Sequence, residues 1–386
     1  MSRSSIAIVS PSFFPMIGGI ESYVHSVGKE LVELGHEVHV YTPDSVLGRK
    51  IPNHNEQLDG IIVHRLDVRI DLSYRLRFWP DLLNELKRDA PDIIHVYSHD
   101  SYALLALMAA RSGQVPFLVT TYGPLETHSN YGVVETALFR TYDSLVAPPL
   151  FRRCNLVMVR YPAIAHWLVS MHVARTKIRL EPSGIPKDAL GQRDGSAFRV
   201  RHHIGGPLVL YLGRISSQKG VQYAVESIKR VNRRFPDARL MIVGPDYSGF
   251  VSVIRSNAAK LGVSESVVVL PPMLEEEAQL EALAACDVFV MPSSFEGFSQ
   301  SVMKAMAQGR PVVVTNVGGL PYEVGYGKCG LISQYGDADS LADCILKLLG
   351  DPDLSRQLGA EGKERAQDFT FDELALRISH NYDQLA

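Results

Sequence analysis

Twice along this chain, short apolar runs rich in β-branched residues alternate with longer stretches of helical periodicity. That alternation is the pattern of βαβ units with parallel sheets. In the first half the strand segments run from Ile6 to Val9, Val38 to Tyr41, Ile61 to His64, Ile93 to Tyr97, Phe117 to Thr121 and Leu156 to Val159. After a hydrophilic stretch from Pro186 to His203 the pattern restarts, with strands from Leu208 to Leu212, Leu240 to Val243, Val267 to Leu270, Val288 to Met291 and Val312 to Thr315. Each half opens alike, with a buried strand, a glycine-bearing loop and an amphipathic helix. Ile20, Tyr23, Val24, Val27 and Leu31 make one helical stripe, and Val221, Val225, Ile228 and Val231 make the other. The fold class is α/β, with two Rossmann-like domains facing one another. In open α/β sheets ligands bind beyond the carboxyl ends of the strands, so the active site is expected in an interdomain cleft.

Composition removes several functions. With 39 Lys and Arg against 42 Asp and Glu in 386 residues, the net charge is −3 and no polybasic field is available to hold nucleic acid. No apolar run reaches the roughly 18 residues of a membrane span. The opening MSRSS lacks the basic and apolar regions of a signal peptide, so a cytoplasmic protein is expected. Cys154, Cys286, Cys329 and Cys344 form no CxxC pair and have no histidines at metal spacing, which predicts buried thiols without disulfides or zinc.

Three loops after strands carry candidate chemistry. The first, from Ser10 to Glu21, holds Gly18 and Gly19 just before a helix, where backbone amides can approach an anion. It is not GxGxxG, which disfavours a nicotinamide or flavin enzyme. The second, Gly213 to Gly220, sets Arg214 and Lys219 five positions apart between a strand and a helix, a spacing that lets two cations neutralise a pyrophosphate without a metal. The third, Pro292 to Phe298, places Glu296 ahead of a helix N-terminus, where a carboxylate can hold sugar hydroxyls beside amides that hold phosphate. Each loop has a plainer reading too: a strand-to-helix turn, two solvated cations, a helix-start charge matching the dipole.

Together these pieces resemble a known family. Gly18-Gly19, GRxxxxKG from Gly213 to Gly220, PSxxEGF from Pro292 to Phe298 and AMAxGxPVVxTxVGG from Ala305 to Gly319 are similar to the retaining nucleotide-sugar glycosyltransferases of family 4, which have the GT-B fold. The resemblance covers nearly the whole chain. It implies an N-terminal acceptor domain over 1–190, a C-terminal donor domain over 200–370, and a final helix over about 371–386 that packs back on the first domain. It implies that Arg214 and Lys219 bind the donor diphosphate and that Glu296 holds the donor sugar, these three forming the catalytic set. Gly18 and Gly19 would close on the phosphate, Met273 and Leu274 would contact the base, and Gly297, Phe298, Ser299 and Gln300 would line the sugar with amides. No cofactor and no metal are required. The donor is expected to be a UDP-sugar in preference to GDP-mannose, and the acceptor a hydroxyl compound.

Two positions depart from the family pattern. Where the family commonly has a second glutamate that binds ribose, this chain has Lys304, so either the ribose is held otherwise or Lys304 serves the phosphates. Where it often has a histidine after a strand, this chain has Tyr122, a hydrogen-bond donor but a poor base near neutrality; His95, His99 and His128 are further acceptor-side candidates. A basic and aromatic stretch over 136–180, with Arg140, Arg152, Arg153, Arg160, Arg175, Lys177 and Arg179 among Phe139, Tyr142, Leu150, Phe151 and Trp167, could lie against anionic lipid. A second such cluster comprises Tyr74, Arg75, Arg77, Phe78 and Trp79. A solvated basic face over an aromatic core, or an anionic soluble acceptor, would want the same charges. The two departures keep two rivals in view: a sugar-nucleotide epimerase and a non-catalytic sugar-nucleotide-binding subunit.

Overall fold

The computed structural model describes residues 3–16, 18–46, 49–51, 56–73, 76–124 and 132–385. The chain folds into two compact units, Met1–Ser183 with Phe371–Ala386, and Gly184–Thr370.

The first unit is built on an eight-stranded sheet. Its strands are β1 (Ser5–Val9), β2 (Glu37–Pro43), β3 (Glu56–Leu58), β4 (Ile61–Leu66), β5 (Ile93–Tyr97), β6 (Phe117–Thr121), β7 (Leu156–Val159) and β8 (Ile178–Leu180). They lie in the order β8-β7-β6-β5-β1-β2-β4-β3, parallel throughout except for β3, which runs antiparallel to β4. The second unit holds β9 (Leu208–Leu212), β10 (Arg239–Val243), β11 (Val267–Leu270), β12 (Val288–Met291), β13 (Val312–Thr315) and β14 (Leu331–Ser333), all parallel, in the order β11-β10-β9-β12-β13-β14. Each sheet reverses its winding beside its first strand, between β1 and β5 in one unit and between β9 and β12 in the other, the switch point at whose carboxyl-end crevice open α/β sheets bind ligands.

Continuous apolar runs make these strands because both faces of a parallel sheet are covered. All five residues of β9 are buried, as are all five of β5 and β6. The helices follow the expected stripes. In α1 (Gly19–Glu33) the buried side includes Tyr23, Val24, Val27 and Leu31, and in α2 (Val221–Arg234) it includes Val221, Val225, Ile228 and Val231. Two further helices matter below: α3 (Glu276–Ala285) and α4 (Gln300–Ala307).

The last helix, α5 (Phe371–Asp383), belongs to the first unit. Phe371, Leu374, Ala375, Ile378 and Tyr382 share one core with Tyr23, Val24 and Val27 of α1. Polar bonds fix its register. His36 Nε2 and Ser379 Oγ lie 2.7 Å apart, and Glu181 accepts from Arg377 and Asn381 at 3.0 Å each. The crossover out of the first unit falls after Ser183, not near residue 190. Ile185 and Ala189 are buried in the second core, and Gln308 donates to the carbonyls of Ala189 and Gly191 at 2.8 and 2.9 Å.

Candidate active site

The crevice of the second unit gathers the loops that follow β9, β12 and β13. In the first, the Tyr211 hydroxyl donates to the Arg214 carbonyl at 2.6 Å, and the Gly213 and Ile215 amides donate to Val243 and Pro245 at 2.9 Å. The backbone around Arg214 is thereby fixed while its side chain stays exposed, and the guanidinium forms no ion pair among the described residues. Gly220 ends this loop at φ +67°, and a Cβ there would stand 1.8 Å from the Pro292 carbonyl oxygen. Only glycine lets the two loops approach so closely. The Ser294 amide then donates to Gln218 O at 2.8 Å and Thr315 Oγ1 to Ser293 O at 2.6 Å. Gly318, at φ +54°, has the same function for the third loop: its Cβ would meet the Glu296 carbonyl oxygen at 2.0 Å.

Lys219 and Glu296, to which the family resemblance gives separate tasks, are bound to each other. Lys219 Nζ donates to Glu296 Oε1 at 2.5 Å, with side chains only 14% and 12% exposed, and Ser293 Oγ donates to the same oxygen at 3.1 Å. Diphosphate would reach this lysine beside its carboxylate partner, which three ammonium protons allow.

Glu323 was missed in the sequence. It is fully buried at the end of the four-residue helical turn Leu320–Glu323, and its Oε1 accepts the Ser299 amide at 2.6 Å. Burial pushes its carboxyl well above the usual range, against the Ser299 hydrogen bond and with the help of the Glu296 charge. The amide of Ser299 is therefore committed to protein and is not a donor for a sugar; Ser299 instead caps α4, its Oγ accepting from the Val302 amide. Gln300 is the first residue of α4. Phe298 packs on Phe369 with ring centroids 5.7 Å apart, so its side chain is a core contact. Gly297 lies between it and Glu296, partly buried. The signal for Glu323 was its place four residues after Gly319, which closes the last of the family motifs.

Lys304 is nearly buried and does not join the Arg214 and Lys219 cluster: its ammonium donates to Glu276 Oε2 at 2.6 Å. Of the expected base contacts, Met273 packs against the core and Leu274 is 79% exposed.

In the first unit, Gly18 caps α1 with extended backbone and accepts the Ser22 amide at 3.0 Å, while Ser12 Oγ hydrogen-bonds Glu21 across the loop. A Cβ on Gly19 would meet nothing within 4 Å. Two of the histidine candidates, His99 and His95, are core residues. His99 is buried, bonded to Thr121 Oγ1 at 3.0 Å and Asp143 Oδ1 at 2.9 Å. His95 is bonded to Tyr382 OH at 2.7 Å and Thr120 Oγ1 at 2.8 Å, and burial, with the Arg160 charge, lowers its pKa to about 3. Both of its nitrogens are occupied and it stays neutral at physiological pH. His128, with Tyr74 and Arg75, lies outside the described residues. Tyr122 is half-buried and accepts from Arg160 Nη2 at 3.4 Å.

Arg160 itself is wholly buried, its guanidinium 3.6 Å from the Tyr23 ring centroid, so it is no part of a surface patch. Phe139, Leu150, Phe151, Arg77 and Trp79 are likewise core, which corrects the picture of two aromatic basic surfaces. The large apolar side chains that do reach solvent there are Phe78 in the second cluster and, on the helix Val133–Leu145, Val133, Val134, Leu138 and Leu145, with Arg140 beside them.

A family model described as Glycosyltransferase Family 4 matches residues 17–189, and one described as Glycosyl transferases group 1 matches residues 196–365. This chain belongs to the family 4 glycosyltransferases. A D-inositol 3-phosphate glycosyltransferase of Nocardia farcinica is 28% identical over 95% of this chain and 84% of its own length. A GDP-mannose-dependent α-(1-6)-phosphatidylinositol monomannoside mannosyltransferase of Mycolicibacterium smegmatis is 28% identical over 94% and 93%. Among solved structures, the Anabaena protein HepE in complex with UDP superposes with a TM-score of 0.78 at 18% identity, covering 99% of this chain and all of that one, a likeness of fold. The glycosyltransferase is thus an enzyme of the GT-B architecture. An epimerase and a non-catalytic subunit are set aside by a family of named transferases.

Proposed function

We propose that this glycosyltransferase moves a sugar from a nucleoside-diphosphate sugar to a hydroxyl acceptor with retention at the anomeric carbon and without a metal. The observation that carries this reading is the second-unit crevice: an exposed Arg214, without an ion pair among the described residues, next to the Lys219–Glu296 pair. Two cations at one strand-end crevice suit a diphosphate leaving group. The bond from the anomeric carbon to the phosphate oxygen breaks, the acceptor oxygen bonds to that carbon on the same face, and the acceptor proton passes to the departing diphosphate. Protein work is then electrostatic: Arg214 and Lys219 take the growing negative charge, and Glu296 positions the sugar.

UDP is the proposed nucleotide. The UDP held by the fold neighbour favours it, and the GDP-mannose named for the mycobacterial relative is the competing outcome. Calorimetric titration with UDP, GDP and ADP, with and without EDTA, followed by hydrolysis of the matching sugar donors, tests the reading. Selective binding unaffected by EDTA is expected. Binding of none, or binding that EDTA removes, overturns it.

Peripheral membrane contact is part of the same proposal. No helix among the described residues is long and apolar enough to cross a membrane. Support comes from Val133, Val134, Leu138 and Leu145 exposed beside Arg140, with Arg152 and Arg153 also exposed. Each basic residue near an anionic leaflet contributes about 1 kcal/mol. The protein should cosediment with phosphatidylglycerol vesicles and not with phosphatidylcholine ones, and Leu138→Glu should release it. Equal recovery on both vesicle types would sink the idea.

A further inference from the structure

In the first sheet β2 and β4 lie side by side, with Tyr41 opposite His64 and His39 opposite Ile62. Side chains two apart share a face of a sheet, so His39, Tyr41 and His64 stand together. The His64 ring stacks on Tyr41 with centroids 4.5 Å apart and on His39 at 5.2 Å. The helix Asp81–Asp89 brings Glu85 and Asp89, four residues apart and so on one helix side, to the same place, where the Tyr41 hydroxyl donates to Asp89 Oδ2 at 2.7 Å.

A chain of hydrogen bonds sets what His64 offers. Glu37 Oε1 can only accept, so His39 Nε2 donates to it at 3.1 Å. Nδ1 of a neutral His39 is then an acceptor, and His64 Nε2 donates to it at 2.9 Å. That leaves a bare lone pair on His64 Nδ1, and burial with the neighbouring His39 favours the neutral ring. One ring nitrogen of His64 and one carboxylate oxygen each of Glu85 and Asp89 lie within 4.8 Å of one another. Such a set of acceptors calls for a cation. Arg88 answers from outside, donating to both carboxylates, but its side chain is 63% exposed, and exposed pairs are worth at most about fivefold in an equilibrium constant. Glu85 and Asp89 are 24% and 21% exposed, so an ion arriving from solvent can reach them and displace the guanidinium.

An imidazole with two carboxylates suits zinc, whereas magnesium and calcium prefer oxygen alone. Zinc bonds of about 2.0–2.2 Å set tetrahedral ligand atoms about 3.4 Å apart, a contraction that the two flexible carboxylate side chains can make. Two carboxylates and one divalent ion also leave the centre neutral.

We propose that His64, Glu85 and Asp89 bind one zinc ion, with water in the fourth position and His39 as the positioning residue that holds the His64 ring. The ion clamps the helix Asp81–Asp89 to β2 and β4. His39 and His64 are mid-strand and Asp89 precedes the amino end of β5, so the centre lies away from the strand carboxyl ends and takes no part in sugar transfer.

The test uses the full chain, stripped with EDTA and dialysed, then titrated calorimetrically with zinc chloride or magnesium chloride near neutral pH, with a thermal melt of each sample. Wild type should bind one zinc per chain, with a rise in Tm of about 3–6 °C at ten times Kd, and should not respond to magnesium. His64→Gln, Glu85→Gln and Asp89→Asn should each lose the site, and His39→Phe should weaken it by a factor of about 10–100. His166→Gln, at an exposed histidine elsewhere, should change nothing. Arg88→Ala should tighten zinc by up to about fivefold, because it removes the competing cation; a purely structural ion pair would not behave so. Cobalt in place of zinc should show no thiolate charge-transfer band, which separates this centre from binding at the cysteines. The assignment is overturned by a wild type that binds no stoichiometric zinc, by an equal response to magnesium, or by zinc binding that folded His64→Gln and Asp89→Asn retain.

Discussion

Arg214→Ala should abolish measurable transfer while leaving the fold standing. The side chain is exposed and forms no ion pair among the described residues, so its loss should change stability by no more than about 0.5 kcal/mol. Its backbone is held independently of the guanidinium, by the Tyr211 hydroxyl on the Arg214 carbonyl. Catalytically Lys219, which shares its ammonium with Glu296, cannot replace the planar fork of donors that the guanidinium presents to a diphosphate. Removing one preorganised donor from a leaving group that gains negative charge typically costs a factor of about 10²–10³ in kcat. The measurement is kcat/KM for transfer or donor hydrolysis, set against a thermal melt. An unchanged kcat/KM would remove Arg214 from the reaction and with it the placement of the diphosphate.

Glu296→Gln should reduce kcat by a similar factor, about 10²–10³ if the carboxylate positions the sugar as the transition state develops charge, and should weaken nucleotide binding much less. The amide keeps the size of the side chain and can still accept from Ser293. It cannot offset the Lys219 ammonium, which is only 14% exposed, so a stability loss of about 1–3 kcal/mol is expected together with the catalytic one. Donor hydrolysis kinetics and UDP titration on the same preparation separate the effects. A loss confined to UDP affinity, with kcat intact, would reassign Glu296 from the sugar to the phosphates, acting through Lys219.

The alternation of strand and helix, repeated after Pro186 to His203, was enough to read two parallel α/β sheets. Strands buried on both faces have to be continuously apolar, and the helices that cover them have to carry a stripe. Within the two large sheets, the strands that escaped notice are β3, β8 and β14, each three residues long. Segments so short have no periodicity of their own, and the neighbouring strand decides their state. Arg160 shows a different failure. In the sequence it is one of a run of basic residues, and burial between Tyr23 and Tyr122 makes it a core cation. Composition counts charges without knowing which side of the chain faces water.

The loops of the candidate site divide in the same way. Local chemistry dictates glycine at 220 and 318, since both have left-handed backbone and a carbonyl oxygen where a side chain would begin, and that is why the loop motifs are legible in one dimension. Pairing across loops is not local. The bond between Lys219 and Glu296 spans 77 residues, that between Lys304 and Glu276 spans 28, and that between Ser299 and Glu323 spans 24. Sequence alone determined the fold class, the family and the strand ends where chemistry belongs, because periodicity and glycine geometry are local properties. Only the tertiary structure decided which charge meets which, because hydrogen bonds and burial depend on distances that sequence separation does not set.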